Sequence, residues 1–119
     1  MPRRTEPEPF ASKVGARIRE LRLERNMSLA ELADISGLSK GHLSSVEHGL
    51  AAITIQTIDR LAKGLEVSAL YILTFSADDE RAQVAELVRK LSASEVKKLR
   101  RELSKSVQAA AKQSKSARA

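Results

Sequence analysis

Apolar residues recur at helical spacing near the start of the chain. Val14, Ile18 and Leu21 follow the i, i+4, i+7 pattern that places side chains on one face of a helix. Ser12 stands just before them, and serine is a favoured residue at helix N-caps. The pattern predicts a first helix from Ser12 to about Asn26, with its remaining faces charged and solvated.

Two short helices are predicted next, on either side of a glycine-containing turn. Ser28 and Glu31 have the spacing of a capping box, and Gly37 is placed to end this second helix. Ser39 can cap a third helix that continues to about His48. Its inward positions are Leu43 and Val46, and its outward positions are Lys40, Gly41, Ser44 and Ser45.

A fourth and a fifth helix complete this part of the chain. Thr54 can cap the fourth, which ends near Gly64, and Ser68 can cap a short last turn. Five short helices with no alternating strand pattern predict an all-α domain over residues 12–75. Of the 28 Leu, Ile and Val residues, 20 lie in this range, so the hydrophobic core is expected there.

Two amphipathic helices are predicted after the domain. Ser92 and Glu95 form a second capping box, which separates them into a helical hairpin over residues 76–111. Its apolar positions are Val84, Leu87, Val88, Leu91, Val96, Leu99, Leu103, Val107 and Ala110. Such a face packs either on its own domain or on a second copy of the chain. A proline-containing leader at 1–11 and a basic disordered tail at 112–119 are expected to flank these segments.

Composition excludes several classes of function. The chain of 119 residues has no Cys, 2 His and 3% aromatic residues, which argues against thiolate or zinc sites and aromatic-lined pockets. We find no catalytic constellation or phosphate-binding glycine loop, and we expect no enzyme activity, metal or cofactor. The lack of Cys and of a long apolar run favours a cytoplasmic protein without membrane contact.

The second and third helices have the pattern of a helix-turn-helix. The run IRELRLERNMSLAELADISGLSKGHLSSVEHG, followed by TIQTIDRLAKGLEVSALYIL, resembles the Cro/phage-repressor family of regulators, the xenobiotic-response-element type. The resemblance rests on the opening at Ser28, the turn at Gly37, the start at Ser39, and Glu47 with Gly49. It implies a five-helix lambda-repressor-like domain at 12–75 and, with the hairpin, a SinR-like architecture with a C-terminal dimerisation segment.

The resemblance also implies roles for individual residues. The third helix would enter the DNA major groove, where an ammonium such as that of Lys40 can bond guanine O6 and N7. Arg22 and Glu47 would form an ion pair that joins the first helix to the end of the third. The residues expected to bind DNA are Ser39, Lys40, Gly41, Ser44, Ser45, His48 and Thr54, with His48 as a phosphate contact.

Three features depart from the family pattern. Leu29 stands where many members carry Gln, residues 50–53 contain no Lys or Arg, and Gly41 replaces a polar reader. Either the backbone at Gly41 approaches DNA closely or that position reads nothing. Residues 12–75 hold 8 basic and 7 acidic side chains, so we expect the domain alone to bind DNA weakly. Dimerisation or the basic C-terminal segment would then have to compensate.

The sequence therefore predicts a dimeric transcription regulator that binds an inverted-repeat operator on nucleoid DNA. A repressor is the favoured form, and an activator that contacts polymerase is the alternative. The expected dimer contacts are Val84, Leu87, Val88, Leu91, Val96, Leu99 and Leu103. An alternative is an antitoxin-like or adaptor protein whose hairpin mainly binds a partner protein. Residues 97–118 carry 8 basic side chains and one acidic one, which would contact phosphates, attract an acidic partner or solubilise the tail. The segment after the domain is too short for a sensing domain, so any induction is expected to act through protein antagonists, protein concentration or disruption of the dimer.

Overall fold

The computed structural model describes residues 5–118, with side chains up to residue 115. Residues 1–4 of the predicted leader, and Ala119 of the predicted tail, lie outside this range. The described chain forms seven helices and no strand: α1 (Pro9–Glu24), α2 (Leu29–Ile35), α3 (Lys40–Glu47), α4 (Ile55–Leu65), α5 (Ala69–Ile72), α6 (Glu80–Arg89) and α7 (Ala93–Arg118). None of these helices is both long enough and apolar enough to cross a membrane. The all-α prediction is confirmed.

The predicted capping residues after α1 are confirmed by hydrogen bonds. Ser28 Oγ accepts from Glu31 N at 3.0 Å, while Glu31 Oε1 accepts from Ser28 N at 3.1 Å, so the capping box is reciprocal. Ser39, Thr54 and Ser68 accept in the same way at the starts of α3, α4 and α5. These bonds satisfy backbone donors that have no partner inside the helix.

The first helix begins earlier than predicted. Its N-cap is Glu8, which accepts a hydrogen bond from Ala11 N at 2.6 Å, and not Ser12. Pro9 then occupies the first turn, where a missing N–H carries no cost and the fixed φ suits a helix. Residues 9–11, predicted as part of the leader, are therefore helical.

The last helix ends later than predicted. α7 continues without a break to Arg118, so the basic disordered tail expected from residue 112 is wrong for residues 112–118. Ala, Lys, Gln and Arg are all strong helix formers, which accounts for a helix without large apolar residues. The absence of large apolar residues from this stretch indicates that it does not pack against a core. It does not indicate that the stretch is disordered.

Among the described side chains, the buried apolar ones all lie between Val14 and Ile72, on α1 to α5 and the loop after α3. At Gly15, α1 lies directly against the backbone at the C-terminal end of α3. A Cβ added there would overlap Val46 O and lie 2.7 Å from Glu47 O. Only glycine allows α1 to lie this close to the C-terminal end of α3.

Gly15 and Gly41 make a matched pair for testing this packing. We expect Gly15→Ala to lower the free energy of unfolding by about 2 kcal/mol or more, because the added methyl meets backbone atoms that cannot move aside. Gly41→Ala should raise it by about 1 kcal/mol, since nothing lies within 4 Å of the added Cβ and alanine favours helix. Urea denaturation of both variants measures this, and equal effects would contradict the assigned packing.

Candidate nucleic-acid interface

The helix-turn-helix is formed by α2, a tight turn and α3. Gly37 adopts a left-handed φ of 69°, and Leu38 N then donates to Ala33 O at 2.8 Å. This turn directs α3 away from α2. The N-terminal turn of α3 remains exposed, while Leu43 and Val46 on its other side are fully buried.

Four predicted DNA-binding residues lie on the accessible side of α3. Lys40 and Gly41 are exposed, and Ser44 is half-buried. His48 is exposed just after the helix, with ring Nδ1 2.6 Å from Ser44 O. Because a carbonyl oxygen only accepts, Nδ1 carries the hydrogen in this contact, which leaves Nε2 available to a further partner.

Ser39 and Thr54 combine capping with exposure. The Ser39 hydroxyl accepts from His42 N at 3.0 Å, and the Thr54 hydroxyl accepts from Thr57 N at 3.1 Å. Both residues are exposed, and a hydroxyl that accepts one hydrogen bond still has a hydrogen to donate. Thr54 Oγ1 also lies 3.0 Å from Thr57 Oγ1.

Ser45 was predicted incorrectly as an outward residue. Only 5% of it is exposed, so its short side chain cannot reach a base edge. The reason is that α3 packs against α1 and α2 together, and this covers more of the helix than the narrow face marked by Leu43 and Val46. Ser45 therefore does not belong to the candidate site.

The ion pair that the resemblance implies is present. Arg22 Nε and Nη2 donate to the two oxygens of Glu47 at 2.8 and 2.9 Å, and Nη1 donates to Met27 O at 2.9 Å. Both side chains are less than a tenth exposed. The hydrogen bond to Glu47 raises the pKa of Arg22 above its ordinary value even though burial opposes this. Removing one partner of such a pair costs about 3 to 5 kcal/mol.

Sequence reasoning missed a cation beside the candidate interface. Arg19 on α1 is exposed and lines a surface groove together with Leu29, Ser44 and His48. None of the ion pairs among the described residues involves Arg19. In the sequence, Arg19 is marked only by its position on the solvated side of the first helix. This feature does not distinguish it from other surface arginines.

The predicted dimerisation residues form an exposed apolar surface, which we call the apolar stripe. It comprises the seven predicted residues, which are Val84, Leu87, Val88 and Leu91 on α6 or just after it and Val96, Leu99 and Leu103 on α7, and in addition Val107 on α7. The exposed fractions are 53% for Val84, 67% for Leu87, 51% for Leu103 and 67% for Val107. The remaining members are more covered, and Val88, Val96 and Leu99 line a groove between the two helices. The domain itself therefore leaves much of this surface uncovered.

An ionic network attaches α6 to α1, and the sequence did not reveal it. Arg17, only 4% exposed, donates to Tyr71 O at 2.8 Å and to Glu86 Oε2 at 2.5 Å, and it also pairs with Glu20. Arg89 pairs with Glu86 and with both oxygens of Glu24, at 2.8 and 3.0 Å. The hydrogen bond from Arg89, with a further one from Arg17, lowers the pKa of Glu86 to about 2.

One sequence signal for this network was available. Arg17 lies three residues after Val14 and four residues before Leu21, which places it beside the apolar face of α1. Its position in the helical pattern therefore predicts burial. Its partner Glu86 is 69 residues away along the chain, and no local pattern identifies it.

Known proteins resemble the N-terminal part of the chain. A family model described as helix-turn-helix matches residues 18–72. The regulator RamB of Mycobacterium tuberculosis is 35% identical over 74 residues, which cover 62% of this chain and 15% of RamB. The regulator SinR of Bacillus subtilis is 38% identical over 61 residues, covering 50% of this chain and 55% of SinR. The match thus spans less than two thirds of either relative.

Shorter relatives are matched over most of their length. The control protein C.SmaI of Serratia marcescens is 39% identical over 57 residues, covering 48% of this chain and 68% of that protein. Among solved structures, the controller protein C.Esp1396I bound to a 19 base pair DNA duplex superimposes with a TM-score of 0.50 at 35% identity, covering 52% of this chain and 83% of that one.

The network around Glu86 predicts a pH-dependent stability. Because the folded pKa of Glu86 lies at about 2, below the ordinary value of 4.5 for a glutamate, its ion pairs stabilise the fold fully above pH 4.5 and lose this effect as pH falls towards 2. We expect Glu86→Gln to cost about 2 kcal/mol at pH 7 and progressively less between pH 4.5 and pH 3.

Urea denaturation across this pH range measures the difference between wild type and variant. Glu102→Gln serves as the control, since Glu102 is exposed on α7 and belongs to none of the ion pairs above. A Glu86→Gln difference that stays constant down to pH 3 would contradict the network.

Proposed function

The chain belongs to the Cro/C1-type helix-turn-helix family of transcription regulators, and on that premise we propose that it is a dimeric, sequence-specific DNA-binding regulator. The observation that carries the proposal is the geometry of α3. One side of this helix packs into the core, and the Arg22–Glu47 ion pair holds its C-terminal end, while its N-terminal turn with Lys40 is exposed. A helix held rigidly with an exposed first turn suits insertion into a major groove.

Lys40 is the proposed base reader. Its ammonium is accessible at the start of α3, and Gly41 beside it adds no side chain that would keep the helix from the groove. A lysine that bonds guanine O6 and N7 contributes about 1 to 3 kcal/mol of discrimination between bases. The structure of C.Esp1396I bound to a DNA duplex supports duplex binding by this domain, since the two proteins are 35% identical over 52% of this chain.

Contacts to phosphates would fix the position of the domain on DNA. Arg19, Ser44 and His48 line one groove, so a phosphate there would meet a guanidinium, a hydroxyl and an imidazole nitrogen. The two carboxylates of the same groove, Glu20 and Glu47, are already paired with arginines. Thr54 adds a hydroxyl at the start of α4. These contacts position the protein and carry no base sequence information by themselves.

Self-association through the apolar stripe would pair two such domains. An exposed apolar surface of this extent, on two adjoining helices, favours an isologous interface in which each copy presents the same residues. Two recognition helices about 34 Å apart then match successive major grooves. The proposed target is an inverted-repeat operator on cytoplasmic, nucleoid-associated DNA, where occupancy would repress transcription.

The exposed apolar stripe also favours a second candidate function. An antitoxin-like or adaptor protein would use the same surface for a different protein, with DNA binding secondary. The discriminating observation is the mass of the complex. A homodimer has twice the 13.0 kDa of one chain, whereas an adaptor retains a partner at fixed stoichiometry.

Selection of duplexes from a random pool tests the proposal for α3. We expect the full chain to enrich an inverted repeat, and Lys40→Ala to weaken binding to the selected duplex by about 5-fold to 150-fold, corresponding to the lost base contact of about 1 to 3 kcal/mol. Lys63→Ala on α4 is the matched control, because Lys63 is also exposed but pairs with Asp59. Equal effects of the two substitutions, or no enriched sequence, would contradict the proposal.

Sedimentation equilibrium tests the proposed dimer. We expect the double variant Leu87→Ser, Leu103→Ser to be monomeric at concentrations at which the wild type is dimeric, because it removes two exposed apolar contacts from each copy. Ile55→Ser is the control, since Ile55 is 84% exposed and lies outside the apolar stripe. A wild type that remains monomeric, or a double variant that remains dimeric, would exclude the apolar stripe as the interface.

A further inference from the structure

The cations of α7 lie on one face of the helix. Within the described side chains they number seven, and all are exposed: Lys97, Lys98, Arg100, Arg101, Lys105, Lys112 and Lys115. At 3.6 residues per turn, the seven positions fall within an arc of about 160°. We call this surface the basic face. Lys112 and Lys115 belong to it because α7 continues as a helix through the region predicted as disordered.

The basic face and the apolar stripe point in different directions. On α7 the members of the apolar stripe, Val96, Leu99, Leu103 and Val107, occupy an arc of about 80°, centred about 140° from the middle of the basic face. A partner helix that covers the apolar stripe therefore leaves the basic face open except at Arg100, which borders the stripe and lines the same groove. The acidic residues of α7, Glu95 and Glu102, lie on the remaining side.

The basic face is not neutralised by the protein itself. None of its seven cations takes part in the ion pairs found among the described residues. The domain differs, because its cations Arg17, Arg22 and Arg25 are each bound to a carboxylate. An unpaired run of one sign of charge on a rigid helix is a surface for a polyanion.

We propose that the basic face binds the phosphate backbone of duplex DNA outside the bases read by α3. This inference rests on the proposed function and names a second contact surface for it. Lys97 and Lys115 are about 27 Å apart along the helix axis, so the face carries one cation per about 4 Å, against one phosphate per about 3.4 Å along a DNA strand. In a dimer, two such faces would be present.

Two observations favour duplex DNA over other polyanions. Residues 93–118 contain no aromatic side chain, so α7 has neither a platform for stacking unpaired bases nor the aromatic anchors common at membrane surfaces. Residues 12–75 have only 8 basic against 7 acidic side chains, and five of the basic ones are bound to a carboxylate. A domain that reads bases with so little net charge gains affinity from a separate phosphate-binding surface.

The test removes charge from the basic face and measures the salt dependence of duplex binding. The variant is the full chain with Lys97→Gln, Lys98→Gln, Arg101→Gln and Lys105→Gln, all exchanges between good helix formers. The probes are the selected operator with 20 base pairs of flanking duplex on each side and a 60 base pair duplex of scrambled sequence. Each phosphate contact contributes about 0.9 to the slope of log K against log salt concentration.

We expect the slope for both probes to fall in magnitude by at least about 1 in the variant, which is the loss of one phosphate contact or more. The preference for operator over scrambled duplex should remain. The control variant carries Arg60→Gln, Lys63→Gln, Arg81→Gln and Lys90→Gln, which removes the same charge from exposed positions elsewhere. It should retain the wild-type slope.

A slope that changes by less than about 1 in the variant, or by the same amount in the variant and the control, would overturn the proposal. Loss of binding to phosphatidylserine vesicles with an unchanged duplex slope would also overturn it and identify a membrane as the polyanion. These results are distinct from failure of the proposed function, in which the wild type shows no preference for any duplex.

Discussion

The buried ion pair between Arg22 and Glu47 joins the helix that would read DNA to the rest of the protein. α3 has only eight residues, too few to be stable alone, so its direction depends on what holds it. Leu43 and Val46 bury one side, and the two oxygens of Glu47 fix the C-terminal end to α1 through a planar guanidinium. Such a pair specifies an orientation because either charge alone in this environment would be strongly unfavourable.

This constraint makes α1 the element that connects the functional surfaces. Its Gly15 allows the close crossing with α3, its Arg22 holds Glu47, and its Arg17 holds Glu86 on α6. The contacts of α1 therefore fix the positions of both the exposed turn of α3 and the α6 part of the apolar stripe. In a dimer, the distance between the two recognition helices would depend on the same contacts. A displacement of α6 at Glu86 would change this distance, and with it the spacing of the two DNA half-sites that the dimer can bind.

Local signals predicted much of the fold. Ser28, Ser39 and Thr54 cap helices because capping needs only the next three residues, and the helical period identified Leu43 and Val46 as core. The resemblance to a known family supplied the Arg22–Glu47 pair, which spacing alone could not. Ser45 was misplaced because a short helix packed by two neighbours buries more than its apolar face. The network around Glu86 joins residues distant in sequence, so only the folded chain reveals it.

In the proposed complex, the accessible side of α3 lies against the bases of the operator. Amide chemical shifts of the 15N-labelled chain, titrated with the selected duplex and with a scrambled one, measure this contact residue by residue. We expect the shifts specific to the selected duplex to concentrate at residues 39–44 and at His48, while shifts on α7 are the same for both duplexes. Sequence-specific shifts confined to α6 and α7, with α3 unchanged, would contradict this arrangement.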